Sequence, residues 1–105
     1  MVRGEVFRLH ASRTARGGEQ QDLRFAVVVQ ADELLALSTV LVCPTSRSAP
    51  PRSFRPAIEL LGERTRVLVE QTTPIAAERL TAPVARLSAA ELRDLDSALE
   101  LVLGL

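Results

Sequence analysis

Three polar side chains beside two apolar segments have the chemistry needed to handle a phosphate group. Glu19 lies in a polar loop, Arg24 stands where this loop meets an apolar segment, and Thr45 follows the next apolar segment. An arginine fork binds phosphate oxygens, a hydroxyl can hydrogen-bond to one of them, and a carboxylate can deprotonate a ribose hydroxyl. Each has a structural alternative: an ion pair between Arg24 and a loop carboxylate, or a turn that begins at Thr45.

The elements that must position these groups are mostly short strands. Alternating or continuous apolar residues predict strands over residues 5–9, 24–30, 39–43, 57–61, 66–71 and 80–87, the last at a sheet edge because of Pro83. Asp32 can cap a helical turn over 33–37, and residues 73–78 form a turn or one helical turn. Ser88 and Glu91 form a capping box that opens a helix to residue 103. These elements predict a mainly β fold, a small bent antiparallel sheet or barrel with a C-terminal helix, as one domain over 1–105.

The arginines are concentrated in the N-terminal half of a neutral chain. The formal net charge is +0, and every basic residue is arginine. Residues 1–56 hold eight arginines and five acids, whereas residues 57–105 hold five arginines and eight acids. A neutral total argues against unspecific coating of nucleic acid, while the N-terminal clustering favours an anionic ligand.

Several function classes are excluded by what the chain lacks. No apolar run is long enough to span a membrane, and the N-terminus has no signal-peptide pattern. The single cysteine, Cys43, fits a reducing cytoplasm and a buried structural thiol, and no Cys/His cluster exists for zinc. His10 is the only histidine, which rules out a two-histidine ribonuclease mechanism. We expect no cofactor and a cytoplasmic location.

The proline-rich segment 46–56 and the end of a predicted strand hold further candidates. Phe54, between Arg52 and Arg55, is the best platform for stacking a base, with simple anchoring of the loop as the alternative. Glu70 and Gln71 end the strand predicted over 66–71, so that a second acidic group faces the same region. Leu101 and Leu105 lie off the apolar stripe of the helix, which suggests a dimer.

Short motifs along nearly the whole chain resemble one known family. They are Arg3-Gly4-Glu5-Val6, Gly18-Glu19-Gln20, Arg24 before Val27-Val28-Val29-Gln30, the run from Ser38 to Ser46, Val67-Leu68-Val69-Glu70-Gln71, and the helix start at 87–92. Their order and spacing are similar to the MazF/PemK/Kid family, the ribonuclease toxins of bacterial toxin–antitoxin pairs. The chain departs from that pattern at Phe25, where the family usually has proline, and at Phe7, where tryptophan is common.

This resemblance implies an SH3-like barrel and metal-independent, sequence-specific cleavage of single-stranded RNA. The ribose 2′-hydroxyl would attack its own phosphate, giving a 2′,3′-cyclic phosphate and a 5′-hydroxyl. By similarity, Arg24 stabilises the phosphate charge, Thr45 binds a phosphate oxygen, and Glu19 acts as base or orients Arg24; Ser46 can exchange roles with Thr45. The family forms homodimers, and the acidic segment of a MazE-like antitoxin covers the RNA groove. The RNA-binding residues implied are Arg13, Arg16, Gln20, Ser46, Arg47, Arg52, Phe54, Glu70 and Gln71.

Two other functions on the same fold remain open from the sequence. One is a topoisomerase poison of the CcdB type, which relies on C-terminal residues that include a tryptophan. This chain has no tryptophan and ends in Leu103-Gly104-Leu105. The other is an inactive barrel that only binds partners. Cleavage of RNA without magnesium distinguishes a ribonuclease from both.

Overall fold

Antiparallel strands curl into a half-barrel against one C-terminal helix. The computed structural model describes residues 1–9 and 25–105. Within these ranges the elements are β1 Glu5–Leu9, β2 Phe25–Val28, β3 Thr39–Ser46, β4 Ala57–Leu60, β5 Glu63–Val67, β6 Thr73–Ala76, β7 Leu80–Arg86 and α1 Ala89–Leu103. The strand order is β4-β5-β3-β2-β1-β7, and β6 also pairs with β3. The mainly β architecture with a C-terminal helix that the sequence predicts is confirmed.

Strand β3 connects the parts of the sheet, because it pairs with three other strands. Val42, Cys43 and Pro44 lie opposite β2, the first half of β3 pairs with β6, and Thr45 and Ser46 pair with β5. The sequence predicts that Pro44 ends this strand, but the strand continues to Ser46. Pro44 has no amide hydrogen, yet its carbonyl still accepts a hydrogen bond from the Leu68 amide at 2.9 Å. The strand therefore carries Thr45 inside the sheet rather than after it.

The sheet buries apolar side chains on both faces. Val6, Val27, Cys43 and Val67 lie on the face that packs against α1, together with Leu95 of the helix. Their neighbours in sequence, such as Phe7, Ala26, Val28 and Val42, form a second cluster on the opposite face. Successive side chains of a strand point to opposite faces, so the continuous apolar runs in β2 and β3 supply both clusters at once.

Helix α1 begins and ends where the sequence predicts. The Ser88 side chain accepts a hydrogen bond from the Glu91 amide at 3.1 Å, and the Glu91 carboxylate accepts one from the Ser88 amide at 2.9 Å. The second oxygen of that carboxylate accepts from the Glu59 amide at 2.9 Å, which ties the helix start to β4. Gly104 ends the helix in the left-handed conformation, with φ of 71°.

Strand β4 lies where the sequence predicts it, but β5 begins earlier in the chain than predicted. Leu61 and Gly62 both have positive φ, which makes a two-residue turn, and β5 begins directly after it at Glu63. The predicted strand over 66–71 is therefore wrong in its second half. Val69–Gln71 forms a 3₁₀ turn instead, so Glu70 does not share a strand face with Arg66.

Two further local predictions are corrected. Asp32 does not cap the turn that follows it; its carboxylate accepts a hydrogen bond from the Arg3 amide at 2.7 Å, and the 3₁₀ helix over Asp32–Leu34 has no side-chain cap. The segment predicted as a turn at 73–78 begins as a strand, because Thr73–Ala76 pairs with β3. No helix in the described ranges is long and apolar enough to cross a membrane.

Candidate functional site

The predicted site residues fall into two groups. Five lie outside the described residues: Arg13, Arg16, Glu19, Gln20 and Arg24. The other seven are on β3, on the loop after it, or on the 3₁₀ turn after β5: Thr45, Ser46, Arg47, Arg52, Phe54, Glu70 and Gln71. The structure therefore describes the β3 side of the predicted site.

Thr45 and Ser46 have different surroundings, although the sequence leaves their roles exchangeable. The Thr45 residue is 3% exposed and lies opposite Val67 of β5. The Ser46 hydroxyl accepts hydrogen bonds from the Ser48 amide at 3.2 Å and the Ala49 amide at 3.1 Å. Ser46 therefore shapes the start of the loop after β3, as serine hydroxyls commonly do in turns.

A row of side chains crosses the sheet at the level of Thr45. Arg8 of β1 pairs with Phe25 of β2, and Ala26 pairs with Pro44 of β3. Continuing the β2–β3 register by one residue sets Phe25 opposite Thr45. Phe25 and Val67 both pack with the helix-side cluster, so this row lies on the helix side of the sheet. Arg8 does not stand out in the sequence, because its place in this row depends on the register of three strands.

Arg8 also contacts the aromatic ring beside it in the row. Its guanidinium carbon lies 5.3 Å from the centroid of the Phe25 ring, within the range of a cation–π interaction. The Arg8 residue is exposed, while Phe25 is partly buried. Phe25 follows Arg24 in the sequence, at the position where the family usually has proline. The aromatic ring at this position is the one that Arg8 contacts.

A second arginine that sequence analysis missed holds the loop after β3 in place. Arg55 donates to one Glu70 oxygen through Nε at 2.9 Å and Nη2 at 2.6 Å, and donates through Nη1 to the Pro50 carbonyl at 3.1 Å. The Arg55 carbonyl in turn accepts a hydrogen bond from Arg66 Nη1 at 3.1 Å. The side chains of Arg55 and Glu70 are only 19% and 28% exposed. The loop is thus tied to the 3₁₀ turn that carries Glu70.

The remaining candidates on this loop are closer to solvent. Arg47 forms an ion pair with Glu63, with both side chains more than half exposed, so this pair contributes little to stability. Arg52 is exposed and donates to the Pro51 carbonyl at 2.7 Å. The half-buried Phe54 ring has the Arg55 guanidinium carbon 5.5 Å from its centroid, which fits the anchoring alternative as well as stacking. Gln71 is exposed.

Cys43 has a structural environment. The residue is fully buried, and its sulfur lies 3.1 Å from the Thr72 hydroxyl, which donates to the Val69 carbonyl at 2.6 Å. Burial raises the pKa of the Cys43 thiol from 9.0 to about 11. A thiol with such a pKa is protonated at neutral pH and is a poor nucleophile, so the predicted buried thiol is confirmed. Within residues 1–9 and 25–105, no group of three or more His, Cys, Asp or Glu side chains is placed to hold a metal ion.

The sequence and the fold identify one family. Residues 2–103 match the family described as PemK-like, MazF-like toxin of type II toxin–antitoxin system. The chain belongs to this family, as the sequence motifs predict. The half-barrel with its C-terminal helix is the fold of solved MazF toxins.

Individual relatives agree with this assignment. The endoribonuclease MazF9 of Mycobacterium tuberculosis is 38% identical over an alignment of 116 residues, which covers 100% of this chain and 98% of the relative. A putative toxin of the same organism is 43% identical over 75 residues, or 71% of this chain and 70% of the relative. Among solved structures, a MazE–MazF crystal structure from Deinococcus radiodurans is similar with a TM-score of 0.78 at 18% identity, covering 100% of this chain and 96% of that chain.

Proposed function

We propose that this chain is a toxin that cleaves single-stranded RNA by internal attack of a ribose 2′-hydroxyl. The observation that carries the proposal is the match along the full chain to a toxin family, with a 38% identical relative named as an endoribonuclease. The reaction needs a group that takes the 2′-proton, donors that stabilise the phosphate charge, and a proton for the leaving oxygen. Carboxylate, guanidinium and hydroxyl side chains supply these functions without a metal ion.

Each step is assigned to a particular side chain. Glu19 takes the proton from the 2′-hydroxyl, or orients Arg24 while that proton passes to solvent water, and the 2′-oxygen then forms a bond to its own phosphorus. Arg24 stabilises the added negative charge and gives a proton to the 5′-oxygen as the bond from phosphorus to that oxygen breaks. Thr45 donates a hydrogen bond to a phosphate oxygen. The products are a 2′,3′-cyclic phosphate and a 5′-hydroxyl; the proton taken from the 2′-oxygen then returns to Arg24, so the enzyme is restored and the atoms and charges of the products balance those of the substrate.

The surroundings of the two hydroxyls favour Thr45 over Ser46 as the phosphate donor. The Ser46 hydroxyl is held inside the turn that begins at that residue, where it accepts from the Ser48 and Ala49 amides and lies 3.3 Å from the Ser48 hydroxyl. Thr45 lies in the row with Arg8 and Phe25, on the helix side of the sheet. A hydroxyl at the end of a buried strand is held rigidly, which suits a group that must stabilise a transition state.

The partners that we propose are those expected for the family to which the chain belongs. The protein forms a homodimer in the cytoplasm, binds RNA through the loops over 11–24 and 46–56, and is neutralised by a MazE-like antitoxin. Support for the antitoxin comes from the Deinococcus structure, which contains MazE with MazF. Support for the dimer comes from Leu101, Leu103 and Leu105, which are 58%, 60% and 86% exposed on the single chain. The other RNA contacts proposed are Arg13, Arg16, Gln20, Arg47, Arg52, Phe54, Glu70 and Gln71.

Variants at the two hydroxyls and at Arg24 test these roles. Thr45→Val keeps the shape of the side chain and removes the hydroxyl, and we expect a fall in kcat of about 10²- to 10³-fold, the usual cost of one charge-stabilising donor. We expect Arg24→Ala to lower kcat at least as much and to abolish growth arrest. The measurement is single-turnover cleavage of a labelled RNA, with circular dichroism to establish that each variant is folded.

Ser46→Ala is the matched control for the threonine variant. It removes a hydroxyl one residue away, and its main effect is on the loop after β3, so we expect kcat to change by less than about tenfold. The assignment of Thr45 is wrong if Ser46→Ala is the more damaging of the two. A fully active and toxic Arg24→Ala variant removes the proposed mechanism.

A further inference from the structure

Arg8 occupies a position on the sheet that suits a phosphate contact. It lies on β1, between Ala82 of β7 and Phe25 of β2, so its immediate neighbours along the row are a small side chain and an aromatic ring. The Arg8 residue is exposed, and its guanidinium carbon lies 5.3 Å from the Phe25 ring centroid. The long side chain is thus laid against the sheet surface rather than extended freely into solvent.

Its charge is also placed differently from that of three other arginines. Arg3, Arg47 and Arg55 form ion pairs with Asp96, Glu63 and Glu70. Within the part of the chain that the structure describes, the Arg8 guanidinium contacts the Phe25 ring instead of a carboxylate. A guanidinium carries five N–H donors, so a cation–π contact with one ring leaves donors available to an oxyanion.

The position of Arg8 relative to Thr45 indicates which phosphate of the RNA Arg8 can bind. Arg8 and Thr45 lie in the same row with one strand between them, so their backbones are separated by about two strand spacings, roughly 10 Å. Phe25 lies between the two side chains. Because the Phe25 ring separates the two side chains, Arg8 lies beside the oxygen bound by Thr45 rather than directly over it, on the same face of the sheet, where it can meet a neighbouring group of the same RNA strand.

We propose that Arg8 binds a backbone phosphate of the RNA next to the one that is cleaved. This inference rests on the proposed ribonuclease function. Under this proposal, Arg8 on β1 binds the substrate and Phe25 supports its side chain. The cleaved phosphate itself is contacted by Thr45 on β3. Removing Arg8 should weaken RNA binding and leave the chemical step unchanged.

The test is a titration with a short 2′-O-methyl RNA, which cannot be cleaved, at several salt concentrations. We expect Arg8→Ala to raise Kd about tenfold, the lower end for a hydrogen-bonded charge contact. Each phosphate contact to a single strand contributes about 0.7 to the slope of log K against log salt, so that slope should fall by about 0.7. Arg8→Lys keeps the charge but not the planar stacked fork; it should restore the salt slope and only part of the affinity.

Arg93→Ala is the matched control, because it removes an exposed arginine from α1 and changes the net charge equally. Equal Kd values and salt slopes for Arg8→Ala and Arg93→Ala would overturn the proposal. So would a large loss of single-turnover kcat on cleavable RNA in Arg8→Ala, since Arg8 would then act at the cleaved phosphate. If the unsubstituted protein cleaves no RNA, the proposed function fails, while the 2′-O-methyl titration still decides whether Arg8 contacts phosphate.

Discussion

At the scale of single residues, the candidate site combines a predicted group with two arginines that tertiary structure reveals. Thr45 could be predicted because a hydroxyl directly follows a buried apolar segment. Arg8 could be placed on the helix-side face of β1 from alternation with Val6, but its contact with Phe25 depends on strand register. No local signal distinguishes Arg55 from the other loop arginines, because its role comes from Glu70, far along the chain.

The buried thiol gives a prediction about pH. The pKa of Cys43 is about 11 in the folded protein and 9.0 when the thiol is in water. Both states bind the proton below pH 9, so Cys43 adds no pH dependence there. Between pH 9 and 11 the unfolded chain loses the proton first, and the free energy of unfolding should fall by about 1–2 kcal/mol. Urea denaturation at a series of pH values measures this fall.

The control for that measurement is Cys43→Ala, which has no thiol to titrate. Its absolute stability is lower because a buried side chain is shortened. Its stability should nevertheless decline less steeply than that of the unsubstituted protein between pH 9 and 11. Parallel curves for the two proteins would show that the thiol is not protected from ionisation in the fold.

At the scale of elements, local signals predicted the helix and the strands over 5–9, 24–30, 57–61 and 80–87 to within a few residues. Tertiary pairing decided the end of β3, the start of β5 and the presence of β6. The run Val67-Leu68-Val69 looks like the middle of a strand, but the tight turn at Leu61 and Gly62 starts β5 at Glu63. Polar residues such as Arg64 and Arg66 fit β5 because one face of the hairpin is open to solvent. The apolar run therefore predicted the strand too late in the chain, because the position of the turn determines where β5 begins and ends.

The helix start gives a prediction at this scale. Ser88→Ala removes the side chain that accepts from the Glu91 amide, while the backbone amides of residue 88 and Glu59 can still donate to the Glu91 carboxylate. We expect the free energy of unfolding to fall by about 1 kcal/mol, the usual effect of losing an N-terminal cap. Urea denaturation measures the change. Ser97→Ala, at an exposed position in the middle of α1, should cause no loss; an equal loss in both variants would contradict a specific role for the cap.

At the scale of the whole molecule, the apolar clusters that stabilise the fold and the candidate site lie in different parts of the sheet. The two apolar clusters hold the sheet on both faces, and the candidate site lies where β3 ends and its loop begins. The net charge is zero, so attraction of RNA depends on local groups of arginines rather than on the total charge. Exposed leucines at the C-terminal end of α1 leave an apolar surface that a dimer would cover.

The most direct test of the proposed ribonuclease is incubation of the purified protein with a long single-stranded RNA in EDTA, followed by mapping of the cut ends. We predict cuts at a short recurring sequence, with 5′-hydroxyl and cyclic phosphate ends, because attack by the 2′-oxygen needs no metal-bound water. Thr45→Val serves as the control against contaminating nucleases and should give far fewer cuts at the same sites. Intact RNA from a folded, antitoxin-free protein, or cuts that bear 5′-phosphates, would contradict the account.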